Sequence, residues 1–499
     1  MNTKISSHDI SRAGSLSTQA VHGSNHGLKK DTLGVFAIAF YIIAAASPLT
    51  GIVAITPIML GIGNGVGSPS AYLVATAILL LFAVGYLAMS RHVKNAGALY
   101  SYVTLGLGRP IGLGTAAITI FAYTAIQAGL YGGFGFYAAE LMSTALGLHI
   151  PWWVMSFVAA GLCFLLGVHG VHSGAIVLGA LLTLEVVLVI VLNGGILFNS
   201  PTPVSEFSMQ SWSMTALFSP GLGIALMFAC ASFIGFEGSA IYCEEAKNPR
   251  KTIPRATYIS VVFMGLLYAF TLWMIINAIG ADRAVEVSQR EGGNLIFWVS
   301  NLVLNLWATS LFNVFIVTAI FAALVTFHNN IARYLYILGR QGLVWAPLSY
   351  TRKEQQTPYV ASIVQTVSVI LICAPFAIWQ LNPYDTLFAW MTGIGSVAII
   401  LAQVVAAVAI FAFFRKNDLD KRTWHTLIAP AIAIAGLGVF LYYAITSMDL
   451  LMAVSSEVAN WLAVGIFVLF GMGVGYGYYI KSSSPTRYEG LLRALTYDA

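Results

Sequence analysis

Stretches of about twenty apolar residues recur along almost the whole of this chain, and no other feature constrains its fold so strongly. About twenty helical residues span the roughly 30 Å hydrocarbon core of a bilayer. Backbone inside lipid has no water to bond with, so stretches this long and continuous read as helices. We read twelve, at roughly 33–60, 70–89, 112–142, 152–168, 173–197, 218–243, 257–280, 306–333, 359–379, 385–414, 427–447 and 460–480. A water-soluble core is excluded by charge. Only 9% of the 499 residues are charged, against about 25% in a soluble domain. Residues 1–30 are polar and lack the apolar centre of a cleaved signal peptide, so a disordered tail is expected there.

The basic residues give the spans a direction. Of the 24 lysines and arginines, 22 fall in the two tails and the even-numbered loops, and only Arg283 and Arg290 lie on the other side. By the positive-inside rule this places both termini in the cytoplasm, with the protein multi-pass in the cell (inner) membrane. The same distribution accounts for the net charge of +5 without a nucleic-acid partner. Cys163, Cys230, Cys243 and Cys373 lie in or beside apolar runs without metal-ligand spacing, and are read as small packing residues.

Two spans are interrupted. The first carries Ser47, Pro48, Leu49, Thr50 and Gly51. Pro48 removes a backbone donor and crowds the preceding turn, Gly51 tolerates unusual angles, and two hydroxyls stand ready for the freed groups. Either a proline kink or an unwound stretch beside a cavity satisfies this pattern. The sixth span carries Ser232, Phe233, Ile234, Gly235, Phe236, Glu237 and Gly238, a carboxylate between two glycines. A charge at membrane depth costs about 2.5–3.5 kcal/mol even on the lenient insertion scale, so Glu237 is expected to face protein or water. It is either functional or a buried acceptor at the broken helix.

The breaks lie five spans apart. An odd number of spans per unit inverts the second unit, and paired interruptions in two inverted halves mark a transporter's midplane site. Amides at one half-helix end and carbonyls at the other suit a small zwitterion or amine. Glu185 is a further acid, midway along the fifth span with no cation near it in sequence. It is a candidate proton carrier, or else a protonated acid bonded to a neighbouring helix. Tyr123, Tyr131 and Phe236 are candidate pocket aromatics.

At these residues the chain resembles the amino acid–polyamine–organocation permeases. The stretch from Ser232 to Gly238, followed by Glu244-Glu-Ala-Lys-Asn-Pro-Arg-Lys-Thr-Ile-Pro-Arg-Ala256, looks like that family's sixth helix and following loop. Asn95-Ala-Gly-Ala-Leu-Tyr-Ser-Tyr102 and the run from Asn329 to Arg340 agree with it. The resemblance implies an all-α integral membrane fold of about twelve helices. Ten would form a LeuT-like 5+5 inverted repeat over 31–415, with repeats about 31–200 and 215–415. Two accessory helices would follow over 416–480, then a tail from 481. It also implies substrate held between the first and sixth helices, with proton symport or exchange. In an exchanger subgroup the acid matching Glu237 is linked to proton sensing, and a lysine at a sodium-like site in some members matches Glu185. Where many members carry Gly-x-Gly in the first helix, this chain has Ser47-Pro-Leu-Thr-Gly51, closer to bacterial putrescine importers. Ala231 stands where some exchangers have an aromatic gate, and Arg340-Gln-Gly replaces a common Arg-Asp-Gly.

The expectation is therefore a carrier and not an enzyme: a permease importing a small amine or amino acid, with protons as coupling ion. A substrate exchanger of the same fold, or a nutrient-binding receptor without turnover, are the alternatives. The expected surroundings are substrate, protons and the lipid bilayer, with a homodimer left open and no cofactor or metal. The glycines at 471, 473, 475 and 477 are read as helix packing, and His169 and His172 are not read as a metal site.

Overall fold

The structure, a computed structural model, describes residues 34–92, 98–169, 174–237, 246–352, 355–417, 419–485 and 488–489. These are helical, with no strand among the described residues. Eleven of the helices are long and apolar enough to cross a membrane. They are α1 (Val35–Gly61), α2 (Gly65–His92), α3 (Arg109–Leu146), α4 (Trp152–His169), α5 (Leu181–Asn199), α7 (Arg250–Ile279), α8 (Leu306–Arg340), α9 (Tyr359–Ile378), α10 (Pro383–Lys416), α11 (Trp424–Thr446) and α12 (Ser456–Ser483). Between α5 and α7 lies the shorter apolar helix α6 (Leu222–Ala231), so the twelve expected spans map onto eleven full helices and one interrupted one. Gly238 and Cys243 lie outside the described residues, as do His172 and the acidic pair before Ala246.

Burial sorts these helices into a centre and a perimeter. About 72% of the apolar windows of α3 and α10 is buried, and 71% of that of α1, against 17% for α12 and 28% for α9. Helix α3 is the axle, packing on α4, α8, α10 and α12. Its 38 residues start at Gly108 (φ 105°) and Pro110 and stop at the left-handed Gly147 (φ 67°), whose N–H reaches back to Ser143. Gly473 and Gly477 of α12 meet α3 directly: a Cβ there would stand 2.7 Å from Gly114 Cα and 2.5 Å from Pro110 Cα. Gly471 and Gly475 face open space.

Loop contacts separate the two ends of the bundle. At one end Lys416 Nζ donates to Gly106 O, Tyr100 Oη to Gln341 and Thr357 Oγ1 to Val168 O, which joins the basic loops. At the other, Asn64 donates to Leu217 O and Ser288 to Pro57 O. The segment before α8, where no span was expected, contains helices Ala284–Glu291 and Leu295–Val303 lying over the second end. Cys163, Cys230 and Cys373 are buried free thiols.

Candidate functional site

The first break is narrower than an unwound stretch. Helix runs to Ala46, Ser47 adopts left-handed angles (φ 49°), Pro48 restarts the helix, and Gly51–Ile55 forms a π turn. Hydrogen bonds bridge the interruption: Ser47 N–H donates to Ile43 O, and Gly51 N–H to Ser47 O. Ser47 Oγ lies 2.7 Å from Thr50 Oγ1 and donates to Ala319 O on α8. The π turn carries an extra residue and pushes carbonyls off the helical ladder. Phenols meet two of them, Tyr384 Oη donating to Ala54 O at 2.7 Å and Tyr137 Oη to Val53 O at 3.4 Å.

The second break ends the helix outright. Helix α6 ends at Ala231, and Ser232 to Gly235 form a turn in which Gly235 has φ 112°, a conformation that favours glycine. Gly235 N–H donates to Glu237 Oε2 at 3.2 Å, and Tyr123 Oη of α3 donates to Glu237 Oε1 at 2.6 Å. The backbone is again covered by phenols: Tyr268 Oη donates to Ser232 O and Tyr86 Oη to Glu237 O. Tyr72 stacks on Tyr268 at 5.0 Å and lies 3.1 Å from Ser232 Oγ. Six tyrosines on four helices thus surround the two breaks, and four of them bond backbone carbonyls that the broken helices leave open, as buried backbone requires.

Between the breaks lies a cavity of about 30 Å³. Ser47, Thr50, Gly51 and Ile55 line it from α1, Ser232 and Ile234 from the α6 break. Ile126 and Leu130 of α3, Phe327 of α8, and Phe388 and Thr392 of α10 complete it, with no charged side chain. Of the remaining predicted site residues, Pro48 and Leu49 are buried beside the lining, Phe233 packs edge-on to Tyr268, and Phe236 edge-on to Phe82. Tyr123 stands one ring behind the cavity, edge-on to Phe327 at 5.8 Å, and it carries Glu237 with it. Tyr131 does not line the cavity. Glu185 does not either: it is buried in α5 at 3% exposure, within electrostatic reach of Tyr268.

Thr392 was missed in the sequence. Its hydroxyl is buried without a hydrogen-bond partner among the described residues and lines the cavity, where it can bond a guest. A cue existed in Thr392-Gly-Ile-Gly-Ser396, small polar residues inside an otherwise apolar span. Gly129 makes the approach, since a Cβ there would lie 2.6 Å from Thr392 Oγ1. Towards the end away from the basic loops the cavity is closed by rings: Phe388 stacks on Tyr384 at 5.6 Å, and Tyr384 lies against Phe136 at 5.3 Å. Beyond them opens a cleft of about 520 Å³ lined by Phe136, Trp152, Trp153 and Pro383.

Comparison with known proteins gives a consistent match. Residues 32–470 match the amino acid permease family. The low-affinity putrescine importer of Escherichia coli is 23% identical, covering 80% of this chain and 85% of its own. The branched-chain amino acid permease of Bacillus subtilis is 24% identical over 81% and 85%. A mitochondrial cationic amino acid transporter of Arabidopsis thaliana is 25% identical over 68% and 55%.

Proposed function

The chain belongs to the amino acid permease family, and on that premise we propose that it imports a small amine or amino acid by alternating access, coupled to protons. The observation that carries this is the cavity shared by two interrupted helices five spans apart, with a buried carboxylate one ring away. Such paired interruptions are where transporters hold substrate. The hydroxyls of Ser47, Thr50, Ser232 and Thr392 and the broken backbone supply the polar contacts, and Ile126, Ile234, Phe327 and Phe388 take the hydrocarbon part. That lining suits a branched aliphatic side chain or the methylene stem of an amine, in keeping with the putrescine and branched-chain carriers among its relatives.

The two halves, about 31–200 and 215–415, rock about this centre. The basic end is cytoplasmic by the positive-inside rule, and the aromatic cleft is an external vestibule. Glu237 and Glu185 exchange protons as the site changes sides. Uptake into proteoliposomes over a panel of polyamines, monoamines and cationic and neutral amino acids, at two pH values, tests the reading. Accumulation of at least one compound under an inward proton gradient is expected, with its pH dependence flattened by Glu237→Gln and by Glu185→Gln. No accumulation of any compound would overturn import. Uptake that needs substrate inside the vesicle would mark an exchanger.

A further inference from the structure

The Glu237 carboxylate has a polar route to the basic end of the bundle that the cavity does not use. On α3, Thr115, Thr119 and Tyr123 recur every fourth residue, and so share one face, leading from Glu237 toward the helix start. All three are buried, at 0%, 1% and 7% exposure. Tyr334 of α8 faces this stripe, beside Thr119 and within electrostatic reach of Tyr123. Tyr100, from the helix Ala98–Leu107, lies next to Tyr334 and Thr104, and its Oη donates to Gln341 Oε1 at 3.2 Å. Arg109, at the start of α3, lies over Tyr488.

These groups are poorly satisfied. Eleven buried polar atoms lack a hydrogen-bond partner of good geometry among the described residues, and four of them lie here: Thr104 Oγ1, Arg109 Nε, Tyr334 Oη and Gln341 Nε2, although Tyr334 Oη lies near Thr119 and the Tyr100 backbone and Thr104 near Tyr100. Thr104 and Tyr334 are 2% and 4% exposed, so bulk solvent does not explain them. Buried polar groups without protein partners are ordinarily bonded to internal water. A row of such groups, interleaved with phenols that both donate and accept, is the arrangement along which water chains form.

We infer that Tyr123, Tyr334, Tyr100 and Gln341 line a hydrated proton path joining Glu237 to the basic end, separate from the substrate cavity. This rests on the proton coupling proposed above. A proton arriving on a water beside Tyr123 binds the phenol oxygen as the phenol's own proton passes to Glu237 Oε1. The phenol ends neutral, the carboxyl protonated, and the reverse transfer returns the proton to water. Tyr86, which bonds the Glu237 backbone carbonyl, and Arg109 are the other titratable groups along the route.

The test compares wild type with Tyr334→Phe, which removes an unpartnered hydroxyl and keeps the ring. Gradient-driven uptake is expected to fall by about a hundredfold, the size of a lost proton-transfer group, while counterflow without a gradient is unchanged. Loss of both activities, or retention of both, overturns the path. If wild type shows counterflow but no gradient-driven uptake, proton coupling itself has failed, and the path as a proton route fails with it. Hydroxyl-radical footprinting of wild type reads the water separately: Tyr334 is expected to label despite its burial, with exposed Tyr350 as the positive control. An unlabelled Tyr334 beside a labelled Tyr350 overturns the hydration on which the path depends.

Discussion

Gly51 has no room for even one more carbon. A Cβ on it would stand 2.6 Å from Tyr268 Cε1, and that ring is held by its stack on Tyr72 and its bond to Ser232 O. Overpacking of this kind costs about 1–3 kcal/mol. Gly51→Ala is therefore expected to slow uptake about tenfold or more at normal expression, since 1.4 kcal/mol is a factor of ten. Adding Tyr268→Leu should recover part of the rate, and a double mutant no faster than the single would show that this clash is not the cause. The glycine was legible in the sequence as a break signal, but its partner was not, because Tyr268 lies more than two hundred residues away with no local mark. Phe327 escaped for the same reason, and Thr392 although small polar residues mark its span. Ser47, Thr50, Gly51, Ser232 and Ile234 were readable because glycine, proline and hydroxyls stand out against a lipid-facing background.

At the scale of elements, α12 and α3 meet through missing side chains. Gly473 and Gly477 bring α12 against the backbone of α3 at Gly114 and Pro110, while Gly475, two residues from each, points into open space. Gly473→Leu is expected to lower the thermal midpoint of the purified protein by several degrees, through about 1–3 kcal/mol of overpacking. Gly475→Leu should leave it unchanged, and equal behaviour of the two would refute the packing. Spans were legible because bilayer thickness fixes their length. The helices Ala284–Glu291 and Leu295–Val303 were not, since a short helix over the bundle end carries no such length rule. Their anchors, such as Ser288 to Pro57 O and Tyr137 to Gly293 O, come from other parts of the chain. At the first break proline and glycine announced an interruption without deciding between a kink and an unwound stretch, and hydrogen bonding confines it to one left-handed residue and a π turn.

For the whole molecule, the proposed orientation follows from the separation of basic loops from the end that holds Arg283 and Arg290. A single reactive cysteine at position 290 is expected to label in intact cells with an impermeant maleimide, and one at position 422 only after permeabilisation. The reverse pattern would invert the orientation. The cavity between the breaks has a consequence for economy of transport. Its roughly 30 Å³ leaves room for no more than about two or three water molecules. A carrier that returns empty in this collapsed shape takes almost no solvent with it, and no hydrated ion fits. In the proposed cycle the substrate cavity itself is thereby closed to bulk flow on the return, and any proton lost in idle cycling has to travel on Glu237 or Glu185 instead.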